Sequence, residues 1–184
     1  MHGLRPSLGR VPAHNFSGPD RFIGAQLTAV SGPISRSIGD LRLALKAMAQ
    51  PDVRDPWHVG MPLNGTEVPK RLALCTSPDD LMVDPRIKTH LQQAADKIAA
   101  AGWQVEEVSL PPLRIAMENQ LTLWMAEMKQ GASSALAREQ DPDAILVYDR
   151  LVARCPNSSP DNIMDALQIR ASLTRQWREF LQTY

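Results

Sequence analysis

The stretch Asp84-Pro-Arg-Ile-Lys-Thr-His-Leu-Gln-Gln-Ala-Ala-Asp-Lys-Ile-Ala-Ala-Ala-Gly102 holds the start, the face and the stop of one helix. Asp is a capping residue, Pro suits the first helical position because its missing N–H has no partner there, and Gly ends helices. Ile87, Leu91, Ala94, Ile98 and Ala101 recur at steps of three and four, with Lys88, Gln92, Asp96 and Lys97 off that face. Short apolar runs flank the helix. Arg71-Leu-Ala-Leu-Cys-Thr76 fits a buried strand, and Trp103, Val105 and Val108 mark a second one that Pro111-Pro112 ends. Strand, helix, strand over 71–109 is a βαβ crossover, which implies parallel strands and a right-handed connection. The expected class is α/β.

Toward the N-terminus, Val30-Ser-Gly-Pro-Ile-Ser-Arg-Ser-Ile-Gly-Asp40 reads as a turn and a helix start. Gly32 permits positive φ and Pro33 fixes φ. Ser37 can cap, and Asp40 puts a negative charge in the first turn. Ile38, Leu41, Leu45 and Met48 give the helix over 37–49 one apolar face, and Pro51 ends it. Residues 1–29 read as irregular or short-strand structure, broken by Pro6, Pro12 and Pro19. Arg5 and Arg10 there are read as surface or ion-paired arginines before anion ligands. Residues 50–69, rich in Pro, Asp and Gly, read as an internal connecting loop. Asp52 and Asp55 in it are read as solvated acids that cap turns rather than as a catalytic carboxylate pair.

Toward the C-terminus a long helix is expected over about 114–138, with the stripe Met117, Leu121, Trp124, Met125 and Met128. Its plain reading is a core stripe; a Met-rich pocket wall is the functional alternative. A shorter helix follows over 143–154, then a loop from Pro156 to Pro160. Ser159 and Pro160 open the last helix, whose face is Ala166, Ile169, Leu173, Trp177 and Phe180 and whose pattern runs to Tyr184.

The 184 residues suit one domain with its own core. Twenty basic and twenty acidic residues cancel, and no basic stripe is present, so nucleic acid is not an expected partner. No apolar run approaches the roughly 20 residues that span a bilayer, and the N-terminus has no signal-like apolar segment. Cys75 and Cys155 form no CxxC motif and are expected as thiols in a reducing cytoplasm. The sequons that begin at Asn15, Asn64 and Asn157 are then chance matches. His2, His14, His58 and His90 show no metal-ligand spacing, and no GxGxxG or P-loop occurs, so neither metal nor nucleotide is indicated.

Two of these stretches resemble a known family. Val30 to Asp40 resembles the "D-x-x-G-P-(M/L)-A-R-(S/T)-V-x-D" segment of the amidase signature family. Gly3-Leu-Arg-Pro-Ser-Leu-Gly-Arg-Val-Pro12 resembles the "G-L-K-P-T-x-G-R-V-S" segment before it. Asp55-Pro56 and the run from Gly102 to Pro111 resemble the family's "D-x-x-D-P" and "G-x-x-V-x-x-V-x-L-P". The resemblance implies a partial amidase domain over 1–184, with a mixed sheet and the βαβ crossover flanked by helices. It implies hydrolysis of a carboxamide without cofactor by a Ser-Ser-Lys set, and it places that set upstream of Gly3. It further implies that Met1 is an internal start inside a longer amidase gene.

The 184 residues do not supply that chemistry themselves. The family's loop is of the type "G-G-S-S-G-G-S", and no Gly-Gly dipeptide occurs. Ser133-Ser134 falls on a helix and Ser158-Ser159 in a loop, while Ser31, Ser35 and Ser37 match structural positions. Lys46 and Lys70 have no serine partner. No catalytic, cofactor or metal residue is therefore assigned, and the substrate-binding residues stay unknown. Three readings remain: an amidase fragment inactive alone, one half of a split amidase that takes an amide substrate only with a catalytic half, and a non-catalytic binding or assembly module. The first two imply exposed strand edges, loose packing and self-association.

Overall fold

The computed structural model describes every residue except Asn15, Thr66, Pro156 and Asn157, and every side chain of these except Asp80, Ala132 and Ser133. Each of the three sequons contains one of the four, and the loop expected from Pro156 begins on them, so those readings lie outside the described residues. Two compact units make up the chain. One comprises residues 1–66 and 126–141, the other 67–125 and 142–184.

In the first unit, β1 (His2–Gly3) pairs antiparallel with β2 (Ile34–Ser35). Gly32 is needed there for space and does not adopt a positive φ: an added Cβ would collide with the Leu4 carbonyl oxygen. Two helices belong to this unit, α1 (Ile23–Thr28) and α2 (Ile38–Met48). The Ser37 cap is present, its Oγ accepting the Asp40 N–H at 3.1 Å. A helix within 1–29 was not expected. It forms because Glu127, 102 residues later, accepts the Ala25 N–H through Oε2 at 2.7 Å and satisfies a first-turn donor.

The second unit is built on the crossover. β3 (Arg71–Leu74) and β4 (Gln104–Glu107) are parallel, in register from Arg71↔Gln104 to Leu74↔Glu107, and α3 (Pro85–Ala100) connects them. Asp84 caps α3 by accepting the Arg86 N–H at 2.8 Å, and Gly102 leaves it at φ +88°. The long helix α4 (Leu113–Glu139) contributes its first half to this unit. It starts on a remote cap: Asp79, itself at φ 50°, accepts the N–H groups of Leu113 and Arg114 at 2.6 and 2.5 Å. α5 (Pro142–Arg154) and α6 (Pro160–Phe180) complete the unit, the latter capped by Ser159. The Leu181 N–H closes α6 on the Trp177 carbonyl, short of the expected Tyr184.

The class is mixed α/β, as expected. The sheet differs: the described residues hold two separate two-stranded sheets, one antiparallel and one parallel, in place of one mixed sheet. The expected helix faces are also only partly covered. On α3 it is Ala95 that is buried, while Ile87 and Leu91 are exposed. Among the described side chains of α4, Asn119, Leu123 and Met125 are buried and Met117 is exposed. Asn119 belongs inside because its amide donates to the Ala166 carbonyl of α6 at 3.0 Å. Periodicity finds the apolar face of a helix; the neighbours available decide which part of it is covered.

Candidate functional site

The first unit contains a cleft of about 320 Å³, walled by residues 8–14, 19–30 and 54–57. Its floor begins at Gly9. At φ +78° this residue occupies left-handed space, and a Cβ would strike the Trp57 carbonyl oxygen. The Gly9 carbonyl in turn accepts the Val59 N–H at 2.8 Å. Arg10 then reaches the carbonyls of Met61 and Pro62 at 2.5 and 3.3 Å. Residues 50–69 are therefore stitched back onto the N-terminal segment. Arg5, read as a surface or ion-paired arginine, is exposed and donates to the Thr28 carbonyl at 3.0 Å.

Asp55 joins the two walls. Its Oδ2 accepts the Ala13 N–H at 2.6 Å and its Oδ1 accepts the Trp57 N–H at 2.8 Å. It caps a turn, as expected, but is buried rather than solvated. Trp57 is aimed by its indole N–H, which donates to Gln26 Oε1 at 2.9 Å, and Gln26 is held by the Arg21 carbonyl at 2.5 Å. At the rim Asp52 and Arg54 form a two-pronged pair of 2.8 and 2.6 Å. The hydrogen bonds from Arg54 hold the Asp52 carboxyl well below the usual carboxylate range, helped by the charges of Arg54 and His14. This fixes Asp52 as an anion and leaves it no role as a proton carrier near neutrality.

Leu8, Val11, Ala25, Val30, Pro56 and Trp57 give the cleft an apolar lining, with Gln26, Arg21 and Asp55 as polar points. Such a lining holds an apolar or planar group and orients it. None of the described lining residues is Ser, Thr, Cys or Lys. The cleft can bind; among its described residues no hydroxyl, thiol or amine side chain stands ready as the nucleophile for amide cleavage.

The serines and lysines considered from the sequence are not brought to it as a catalytic set. Ser37 and Ser159 are helix caps, Ser35 bonds to the Ser37 carbonyl, and Ser134 bonds back to Gly131. Lys46 is in the last turn of α2, and the Lys70 carbonyl accepts the Gln104 N–H beside β3. A Ser–Lys pair does occur at Ser77 and Lys88, unforeseen because it bridges a turn and a helix. Lys88 Nζ donates to Ser77 Oγ at 2.6 Å, the reverse of the bond by which a base takes a proton from a hydroxyl. Ser77 borders a polar crevice of about 480 Å³ at the carboxyl ends of β3 and β4, where Thr76 is bonded to Glu107 and Asp79 to α4. Among the described residues no cluster of His, Cys, Asp and Glu could hold a metal ion, and no helix is long and apolar enough to cross a membrane.

Comparison with known proteins settles the family. The family model described as Amidase matches residues 1–181, and the chain belongs to the amidase family. It is 32% identical to an indoleacetamide hydrolase of Bradyrhizobium diazoefficiens over 98% of its own length and 35% of that protein's. It is 42% identical to an indoleacetamide hydrolase of Bradyrhizobium japonicum over 60% of the chain and 24% of the relative. A glutamyl-tRNA(Gln) amidotransferase subunit of Thermus thermophilus matches at 32% identity over 75% of the chain and 28% of the relative. The chain thus spans about a third or less of the curated relatives it matches.

Proposed function

We propose that this chain is the binding side of an amidase domain and is inactive in isolation. The complete domain would hydrolyse a carboxamide to a carboxylic acid and ammonia or an amine, without cofactor. The 8–30 and 54–57 cleft would hold the acyl group, and an arylacetamide is the substrate class that fits its apolar, Trp57-lined wall. One observation carries the reading: a substrate-sized cleft with no Ser, Thr, Cys or Lys among its described residues, in a chain that matches the amidase family from 1 to 181. Positioning of the acyl group is what such a cleft contributes, while the nucleophile and oxyanion donors come from elsewhere in the domain.

A graft tests this. The chain replaces the aligned region of the Bradyrhizobium diazoefficiens indoleacetamide hydrolase, and ammonia release from indoleacetamide is followed. The graft is expected to be active, Trp57→Ala in it to raise KM, and the 184-residue chain alone to release nothing. A folded but inactive graft, or hydrolysis by the chain alone, overturns the proposal.

A further inference from the structure

Trp57 is the largest apolar group in the cleft wall and remains 39% exposed. Its indole has one polar atom, the Nε1 donor. That donor is used inside the protein: it bonds Gln26 Oε1 at 2.9 Å, across 31 residues of chain. Gln26 cannot turn its amide round and keep both of its bonds, because its Nε2 donates to the Arg21 carbonyl at 2.5 Å. The oxygen, and not the amide nitrogen, is thus held against the indole.

The backbone at both ends of this contact is fixed as well. The Gln26 N–H donates to the Phe22 carbonyl at 3.0 Å, and Glu127 accepts the neighbouring Ala25 N–H. Asp55 accepts the Trp57 N–H, and the Trp57 carbonyl lies close against Gly9. Other donors of the cleft are also used internally, the Ala13 N–H by Asp55 and the Arg54 guanidinium by Asp52. A group seated against Trp57 therefore meets carbon surface alone. An aryl ring without polar atoms gives up no hydrogen bond there, whereas a ring nitrogen that accepts one from water loses it unreplaced.

We infer that Gln26 is a specificity-determining positioning residue: by taking the indole N–H of Trp57, it makes the cleft select aryl groups that carry no hydrogen-bond acceptor. This rests on the reading of the cleft as the holder of the acyl group and narrows the arylacetamide class. Gln26 acts through Trp57.

The probes are phenylacetamide and a pyridylacetamide, which share one shape and differ by a ring acceptor. Each is titrated into the isotope-labelled 184-residue chain, in mildly alkaline buffer that keeps the pyridine uncharged. Binding is followed by NMR at the backbone amides of the cleft and at the Trp57 indole, which Trp57→Phe identifies among the four tryptophans. Without ligand, the Trp57 indole proton is expected to exchange with water about tenfold more slowly than in Gln26→Met, which keeps the side-chain length and loses the acceptor. The native chain is expected to prefer the phenyl probe. In Gln26→Met the freed indole N–H can pair with the pyridine nitrogen, and that preference should fall by about tenfold. Gln26→Glu retains an oxygen acceptor and should keep the preference of the native chain. Gln26→Met combined with Trp57→Phe has no indole donor to offer, so the preference should return.

If Gln26→Met does not fold, Gln26→Leu, another good helix former without an acceptor, takes its place. Equal indole exchange in the native chain and the variant, an unchanged preference, or a changed preference that persists when Trp57→Phe is added overturns the inference and leaves the acyl cleft in place. Binding of neither probe to the native chain overturns both. The expected shift in preference together with an inactive graft leaves the role of Gln26 standing and removes the proposed amidase role alone.

Discussion

Asp55 Oδ2 accepts the backbone N–H of Ala13 at 2.6 Å, across 42 residues of chain. With the other oxygen on Trp57, one buried carboxylate fixes both walls of the cleft. Asp55→Ala would leave the Ala13 and Trp57 donors unpaired. The expected loss of stability is about 1–3 kcal/mol, read from the urea midpoint of the chain. Asp55→Asn, which keeps one acceptor, should fall between. No change in midpoint for Asp55→Ala would mean that water replaces both bonds.

Gly9 faces a harder constraint, since its positive φ and the Trp57 carbonyl both oppose a side chain. Gly9→Ala is expected to cost about 1–3 kcal/mol and to change Trp57 fluorescence. Gly39→Ala is the matched comparison, because the nearest atom to a Cβ there is 3.8 Å away inside α2. That substitution should stabilise by about 0.5–1 kcal/mol. Equal effects at the two positions would refute the argument.

Asp79 carries two opposing contributions, a left-handed backbone that costs energy and a cap on α4 that returns it. Asp79→Ala loses the cap and keeps the strain, for an expected cost of about 1–2 kcal/mol or more. Asp79→Gly loses the cap but relieves the backbone, so it should melt above Asp79→Ala. The reverse order would show that the strain is not felt.

Tyr184 predicts a dependence on alkaline pH. Burial is the largest cause that raises its phenol above the ordinary 10.0, followed by the hydrogen bond and like charge of Glu106; the Arg71 guanidinium, 5.3 Å from the ring, opposes them. The folded chain therefore holds this proton more tightly than the unfolded one. The contribution to stability is complete below pH 10 and is lost as pH rises above it. Ultraviolet titration should show one of the two tyrosines ionising late, and Glu106→Gln should bring it nearer to 10.0.

Much of the architecture could be read locally. Asp84-Pro85, Ser37 and Ser159-Pro160 mark helix starts by chemistry contained within four residues, and the 71–109 crossover follows from strand and helix periods alone. What escaped depends on distant partners. The α1 helix needs Glu127, the α4 cap needs Asp79, and Asp55 looks like any loop acid until Ala13 arrives. The cleft escaped for the same reason: its walls are 8–30 and 54–57, and no local pattern says that they meet. The family was legible because Gly3 to Pro12 and Val30 to Asp40 resemble known segments, which is a signal of descent rather than of physics.

Arg10 and the carbonyls of Met61 and Pro62 are more than 50 residues apart, with all of α2 between them. A contact that closes so long a loop pays its chain entropy before it gains anything, whereas α2 needs only neighbours four residues away. In the order of events, the helix should come early and the clasp late. Removing the guanidinium with Arg10→Ala should then leave the refolding rate nearly unchanged and let the chain open faster. The N-terminal segment would thus owe the persistence of its fold to the bond that forms last.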